Sequence, residues 1–333
     1  MEDFDLTVLE QYPIETENIR KARGAVLCET KDGLLLLKQA SLSQEKADVI
    51  NRIHKEMKEQ YGAQSDGLFA NKEGNYVSLS EDGTKYYLKK WYKGRECDVK
   101  KTAEILEAAR ILAKLHRIMR FPEYVGSFRM SDQKDEYRRH NRELKKVRTF
   151  IRKKTVKGEF ETKFLQCFDE MYQIAVCVER ALESSAYDRL KEEALENGCF
   201  IHGEYNYHNL LLTSDGMTVV NFEHTVPNIQ AVDLCYFLRK VMEKHQWNSK
   251  LGAEMLRAYS AVNPLSEEEK EYIALRLSYP EKFWKCANTY YNSNKAWISS
   301  KSVEKLNVAI EQTEIKRRFL EQIFSFHLSG SSV

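Results

Sequence analysis

Between Leu210 and Val220 the chain passes from an apolar run to a polar turn and back. Leu210-Leu211-Leu212 is followed by Thr213-Ser214-Asp215-Gly216 and then Thr218-Val219-Val220. Two such runs about an Asp-Gly turn predict a β-hairpin. The same signature occurs at Gly24 to Thr30 and Leu34 to Ala40 about Lys31-Asp32-Gly33. It recurs at Gly74 to Leu79 and Thr84 to Trp91 about Ser80-Glu81-Asp82-Gly83. Residues 1 to 92 therefore read as strand-rich. They are interrupted by one helix from Ser43 to about Tyr61, with Ser43 as N-cap, Val49, Ile50, Ile53 and Met57 on its buried face, and Gly62 as its stop. From Val99 onward the spacing is helical, with Ile105, Ala108, Ala109, Leu112 and Leu115 marking a buried face over Thr102 to Met119, and a further helix from Ala231 through Lys244. The pattern predicts an α+β protein with a strand-rich domain at 1–92 and a mainly helical one at 93–333. Lys93 to Asp98 is the expected connector.

The hairpin gathers polar residues. His202, Glu204, His208 and Asn209 precede its first strand, and Asn221 and Glu223 follow its second. A hairpin brings its outer ends together, so the two groups are expected to meet at one spot. Glu204 and Asn209 are five residues apart, the spacing at which a phosphotransferase catalytic loop sets a carboxylate by the acceptor hydroxyl and an amide at the metal. Asn221 and Glu223 stand where a second metal ligand follows the hairpin. Lys38, near the end of a return strand, is the candidate for the nucleotide phosphates. Glu45, on the inner side of the following helix, is the candidate partner of Lys38, with Glu56 as its rival.

Composition narrows the class. The chain has 333 residues, 42% of them hydrophobic, enough for two packed lobes. No run of about 18 apolar residues is present, so no membrane span is expected. Seven cysteines stand far apart without a CxxC pair, which points to neither a disulfide framework nor a zinc site and suggests folding in reducing cytoplasm. His202-Gly203-Glu204 matches the H-x-E of zinc deaminases, but no P-C-x-x-C follows. No GxSxG elbow exists either.

The net charge of +2 conceals an uneven distribution. Arg138 to Lys157 holds ten lysines and arginines and a single acid, Glu143. The segment reads either as a solvated helix face or as a patch for an anionic partner. Phe150 is its one aromatic, which argues against nucleic-acid base stacking. Such a patch also repels polycationic substrates such as aminoglycosides. In the tail, Phe283, Trp284, Tyr290, Tyr291 and Trp297 are dense enough to predict core packing.

The stretch Phe200 to Glu223 resembles the aminoglycoside and choline kinase group, whose version reads roughly HGDxxxxN, a hairpin, then DF[DE]. Leu112-Ala113-Lys114-Leu115-His116 resembles that group's LAxLH helix, with His116 expected as a packed or capping residue. Together with the phrases YPEKFWK and YYNSNKAW, HGEYNYHN and NFE resemble the spore coat CotS-type family over about Tyr12 to Phe324. The resemblance implies a bilobal protein-kinase-like fold, with a small antiparallel five-stranded lobe carrying one helix and a larger helical lobe. It implies ATP and Mg²⁺ as cofactors, spore coat proteins as partners, and synthesis in mother-cell cytoplasm before assembly into the coat. By the same carry-over Glu204 and His202 are the catalytic candidates, Lys38 and Glu45 bind the nucleotide, and Asn209, Asn221 and Glu223 hold the metal. Asp233 braces the catalytic loop.

This chain departs from that pattern at both acidic positions, with Glu204 and Asn221 in place of aspartates, and it lacks a glycine-rich loop. Glu204 is still a carboxylate, but a displacement of about 1 Å at a reacting group costs around a hundredfold in rate. Asn221 keeps a ligating carbonyl and loses a charge. One unit-charge pair at about 4 Å is worth about 4 kcal/mol at an effective dielectric near 20. Three readings follow from the sequence: a coat component with degenerate phosphotransfer (a pseudokinase); an active small-molecule or protein kinase with Glu204 as base; and an anion- or nucleic-acid-binding module using Arg138 to Lys157.

Overall fold

A computed structural model describes residues 4–22, 24–39, 42–293 and 300–328. Contacts divide the chain into two compact units, Met1–Arg129 with Ala194–Phe237, and Met130–Glu193 with Leu238–Val333.

In the first unit, β1 (Thr16–Ala22), β2 (Ala25–Thr30) and β3 (Gly33–Gln39) are followed by the helix α1 (Gln44–Tyr61). The short strands β4 (Leu68–Phe69) and β5 (Ser78–Leu79) precede β6 (Lys85–Trp91). All pairs are antiparallel, in the order β1-β2-β3-β6-β4 with β5 also on β6. The sheet has six strands rather than the five implied by the resemblance, because Ser78–Leu79 adds a second short partner to β6. The β2–β3 turn falls at Lys31-Asp32, with Thr30 opposite Gly33. Helix α1 begins at Ser43, whose side chain accepts from the Lys46 N–H, and ends at Gly62 in the left-handed conformation.

Register assigns the two faces of this sheet different tasks. Val26 lies opposite Leu37, Cys28 opposite Leu35 and Leu37 opposite Leu88, so these share a face with Tyr86. That face closes over Val8, Leu9 and Tyr12 to form the core. The other face carries Leu36 opposite Lys89 and Lys38 opposite Tyr87. Two lysines and a tyrosine thus project to one side from adjacent central strands.

The first unit continues with β7 (Arg95–Glu96), α2 (Thr102–Ile118) and the four-residue α3 (Pro122–Val125). The helix α4 (Gln133–Lys153) belongs to the second unit, as does α5 (Glu159–Ser184); α6 (Tyr187–Glu196) leads back to β8 (Phe200–Ile201). The expected hairpin is β9 (Leu210–Thr213) with β10 (Gly216–Val219), Thr213 facing Gly216 across the turn. β7 extends it on the β9 side, while β11 (Val226–Pro227) pairs with β8.

In the second unit α7 (Ala231–Met242, shared with the first), α8 (Ser249–Ser260), α9 (Glu267–Ser278), α10 (Glu281–Asn292) and α11 (Ser300–Phe324) join α4 and α5. Phe160 and Phe164 of α5 stack on Tyr290 and Phe283 of α10, so the aromatic tail builds core as expected. Trp284 is only half-buried and donates to Glu143. Trp297 lies outside the described residues.

The basic segment is helical as far as Lys153, with Lys154 and Lys157 beyond the helix end, and its charges are partly opposed. Arg138 pairs with Glu183 at 2.6 Å, Arg148 with Asp169 at 2.7 Å, and Lys154 with Glu161. These partners lie on α5, beyond the reach of any local reading of the charge run.

Candidate functional site

The site forms where the hairpin meets the lysine-bearing face of the sheet, entirely within the first unit. Asn209 sits at the entry to β9 and Asn221 just past β10, and the Asn221 Nδ2–H donates to Asn209 Oδ1 at 2.9 Å. Asn209 Nδ2 in turn donates to the Glu204 carbonyl at 2.9 Å. On its other side Asn221 Oδ1 accepts from Lys89 Nζ at 2.8 Å. An ammonium can only donate, so Lys89 fixes which end of the Asn221 amide is oxygen. The donor end must then face Asn209. One directional chain of hydrogen bonds runs from Lys89 through both amides to the Glu204 backbone.

Lys89 is 1% exposed and holds three acceptors at once. Asp66 Oδ2 lies at 2.7 Å and Glu223 Oε1 at 2.9 Å, beside the Asn221 oxygen. Burial alone would push its ammonium toward neutrality; Asp66 and Glu223 overcome this and hold it above the ordinary lysine value. Asp66, 2% exposed, also accepts from the Asn221 backbone N–H at 2.7 Å. Glu223 Oε1 takes further donors from Lys38 Nζ at 2.8 Å and from the Tyr87 hydroxyl. Burial opposes its charge, but Lys89 and Lys38 keep this carboxyl far below the usual carboxylate range. Lys46 is half-buried, pushed down by burial, and also feels Glu223.

Several expectations need correction. Glu45 lies exposed on the first turn of α1, where its own backbone N–H and Ser43 stabilise its charge; the carboxylate that pairs with Lys38 is Glu223. Glu223 and Asn221 both reach Lys89, from a backbone that is not a strand. Asn221 is left-handed (φ 67, ψ 59) and Phe222–His224 is a single 3-10 turn. Asparagine tolerates that conformation better than most residues. His202 is wholly buried rather than presented to a substrate. Its Nδ1 accepts from the Glu204 N–H and its Nε2 donates to the Val220 carbonyl at 3.0 Å, which ties the loop to the end of the hairpin.

Glu204 itself is exposed, with His224 Nε2 3.7 Å from its carboxylate. Asp233, 1% exposed, accepts from the His202 and Gly203 backbone N–H groups at 2.6 and 3.0 Å, and His116 Nε2 lies 3.3 Å away. Gly203 has φ +83, and a Cβ there would stand 2.3 Å from the His224 carbonyl oxygen. The bend that presents Glu204 therefore requires glycine.

Lys89 and Asp66 were missed by sequence reading. The available signal was Lys89-Lys90 directly after the run Tyr86-Tyr87-Leu88 in one strand, since period-two alternation must turn one of the pair inward. Asp66 carries no comparable local mark. A cavity of about 10 Å³, enough for one water, lies among His54, Asp66, Tyr87, Lys89 and Glu223. His54, on α1, is buried, and its Nε2 stands 3.9 Å from Asp66 Oδ1. Burial pushes its pKa down to about 4.

The arrangement does not suit the divalent cation that the fold implies. A cation held by such a pair needs both oxygens turned toward it, with no donor group in its place. Here Asn209 Oδ1 is taken by an amide N–H and Asn221 Oδ1 by an ammonium. Among the described residues no group of three or more His, Cys, Asp or Glu side chains is placed to hold a metal.

The sheet, helix and catalytic-type hairpin define a kinase-like phosphotransferase fold. The fold matches an aminoglycoside phosphotransferase from Alicyclobacillus acidocaldarius with a TM-score of 0.85, at 17% identity, covering 98% of this chain and 96% of that one. It also matches spectinomycin phosphotransferase APH(9)-Ia, solved with ADP and spectinomycin, with a TM-score of 0.68 at 11% identity over 94% and 96% of the two chains. Within that fold class, the chain belongs to the family described as spore coat putative kinase YutH, which matches residues 6–323. Spore coat protein S of Bacillus subtilis (strain 168) is 25% identical over 95% of this chain and 92% of its own. Among the described residues no helix is long and apolar enough to cross a membrane.

Proposed function

We propose that this protein is a binding or structural component of the spore coat whose kinase-type centre is closed by its own side chains, with phosphotransfer weak or absent. The observation that carries this reading is the Asn221 Nδ2–Asn209 Oδ1 hydrogen bond. With aspartate at 221, two acceptors would face each other and a cation would be needed between them. With asparagine one side donates, and the pair needs none. Lys89 supplies the positive charge from within the chain, and Glu223 keeps the Lys38 ammonium, the candidate phosphate contact, engaged. On this reading the protein is made in the mother cell and works through its surface in coat assembly.

The test is thermal unfolding with ATP, in Mg²⁺ and then in EDTA, for the wild type and Asn221→Asp. A ligand of the native state raises the midpoint by mass action. The wild type is expected to show no Mg²⁺-dependent rise, and Asn221→Asp to gain one. A rise in the wild type that Lys38→Ala and Asn209→Ala abolish would overturn the proposal. The exposed carboxylate of Glu204 favours a second reading, an active kinase with Glu204 as base. Turnover of ATP lost in Glu204→Gln would decide for it.

A further inference from the structure

A concave groove of about 1250 Å³ opens in the first unit, lined entirely by residues between Tyr12 and Tyr92. It is separate from the Asn221–Asn209 pair. Its borders carry Lys31, Lys55, Lys58, Lys72 and Lys90, all exposed, against two acids, Glu15 and Asp32. Lys31 shares a loose pair with Glu15 at 3.4 Å, Lys55 pairs with Glu59 on its own helix at 3.9 Å, and Lys72 donates to a neutral carbonyl, that of Glu10. Counting Glu59 with the two lining acids, the groove still has a net excess of two positive charges (five lysines less three acids). A concave surface with low-dielectric walls focuses such a field.

The lining between the lysines is mixed, with Thr30, Asn51, Gln64 and Ser65 beside an apolar wall. Ile14, Leu34, Phe69 and Trp91 are half-buried along it. His54, nine-tenths buried, also lines the groove, and neither of its ring nitrogens has a hydrogen-bond partner. A free inorganic polyanion would use the lysines and leave the apolar walls wet. An extended peptide uses both, its carboxylates meeting the ammonium groups and its alternate side chains covering the aromatic surface.

We infer that this groove binds an extended acidic peptide segment, with apolar residues between its carboxylates, from another protein chain. The basic face of α4 is the rival surface, but carboxylates of α5 neutralise part of it. It serves as the control.

The experiment is fluorescence anisotropy on the full chain with a short labelled peptide of alternating glutamate and leucine, beside a glutamine–leucine counterpart. Binding of the glutamate peptide is expected, weakening as salt rises. Lys58→Glu with Lys90→Glu should weaken it by on the order of tenfold. Lys145→Glu with Lys146→Glu on α4, neither of which lines the groove, should leave it within about twofold. All four lysines are exposed, and unchanged unfolding midpoints establish that the variants fold. Equal binding of the glutamine peptide, or equal weakening by the α4 pair, overturns the proposal. So does binding of inorganic triphosphate, but not the peptide, through Lys58 and Lys90. Asn221→Asp should bind the peptide as the wild type does, so a failure of the closed-centre reading and a failure of this one are told apart.

Discussion

The amide of Asn221 donates to the amide oxygen of Asn209 at 2.9 Å, joining the two ends of the β9–β10 hairpin. Two consequences of replacing Asn221 can be separated. Asn221→Gly removes the donor to Asn209 and the acceptor for Lys89 but suits the left-handed backbone, so the loss is that of the side-chain bonds. A buried group left without its partner costs about 1–3 kcal/mol. Asn221→Ala loses the same bonds and adds about 1 kcal/mol of left-handed strain. Urea unfolding of both variants checks this. If alanine proves as stable as glycine, the backbone at 221 relaxes and the strain argument fails.

Lys89 is the cation around which the carboxylates are arranged. Lys89→Met keeps the stem and removes the charge, leaving buried Asp66 and half-buried Glu223 without it. Breaking a buried ion pair from one side costs about 3–5 kcal/mol. Asp66→Asn in the same chain should return part of that loss, since one uncompensated charge then disappears. A double-mutant cycle measures the coupling, expected between about 0.5 and 3 kcal/mol. Additive losses would mean that Lys89 and Asp66 do not interact energetically.

His54 predicts a pH dependence. Its pKa is 6.5 when unperturbed and about 4 in the fold. Between these values the unfolded chain binds more protons, so stability rises with pH there and is lost as pH falls from 6.5 toward 4. At 1.36 kcal/mol per unit this one group accounts for about 3 kcal/mol across the window. His202, also pushed down by burial, adds to the same slope. Glu223 acts lower, its contribution present above the ordinary glutamate value and lost only in stronger acid. His54→Gln should therefore flatten, not abolish, the fall in urea midpoint from pH 7 to pH 4.5. An unchanged slope would place His54 outside the titration.

What could be read from the sequence was what is local. The β2–β3 and β9–β10 hairpins were written in their turn residues, and α1 in Ser43, its apolar spacing and Gly62. Asn209, Asn221 and Glu223 could be expected together because one short hairpin joins them. Lys89 and Asp66 reach the same point through the register of β6 on β3 and through the segment before β4; only the first left a local mark, the Lys89-Lys90 pair, and that mark does not say what Lys89 meets. The same limit explains the α4 charges, whose partners sit on α5, and Glu45. A helix residue in the first turn can be placed on a face by periodicity, but what covers that face is decided by distant packing.

Gly203 links the brace to the loop. Its N–H donates to Asp233, its φ of +83 suits glycine, and the His224 carbonyl fills the space a side chain would need. Gly203→Ala must push the 3-10 turn away or distort the loop, at a cost of about 2 kcal/mol or more. Asp233→Asn can keep one acceptor for the His202 and Gly203 N–H groups while losing the charge that strengthens both bonds, so its loss should be smaller. Urea unfolding ranks the two. The loop also positions Asn209 through the Glu204 carbonyl, so both variants should loosen the amide pair. Hydrogen exchange at the Asn209 and Val220 backbone amides, the first bonded within the loop and the second to Asn209, reads that directly. Faster exchange there in both variants, with β2 and β3 unchanged, would mean that Asp233 holds the closed centre through the loop. Exchange that rises equally everywhere would reduce its part to global stability.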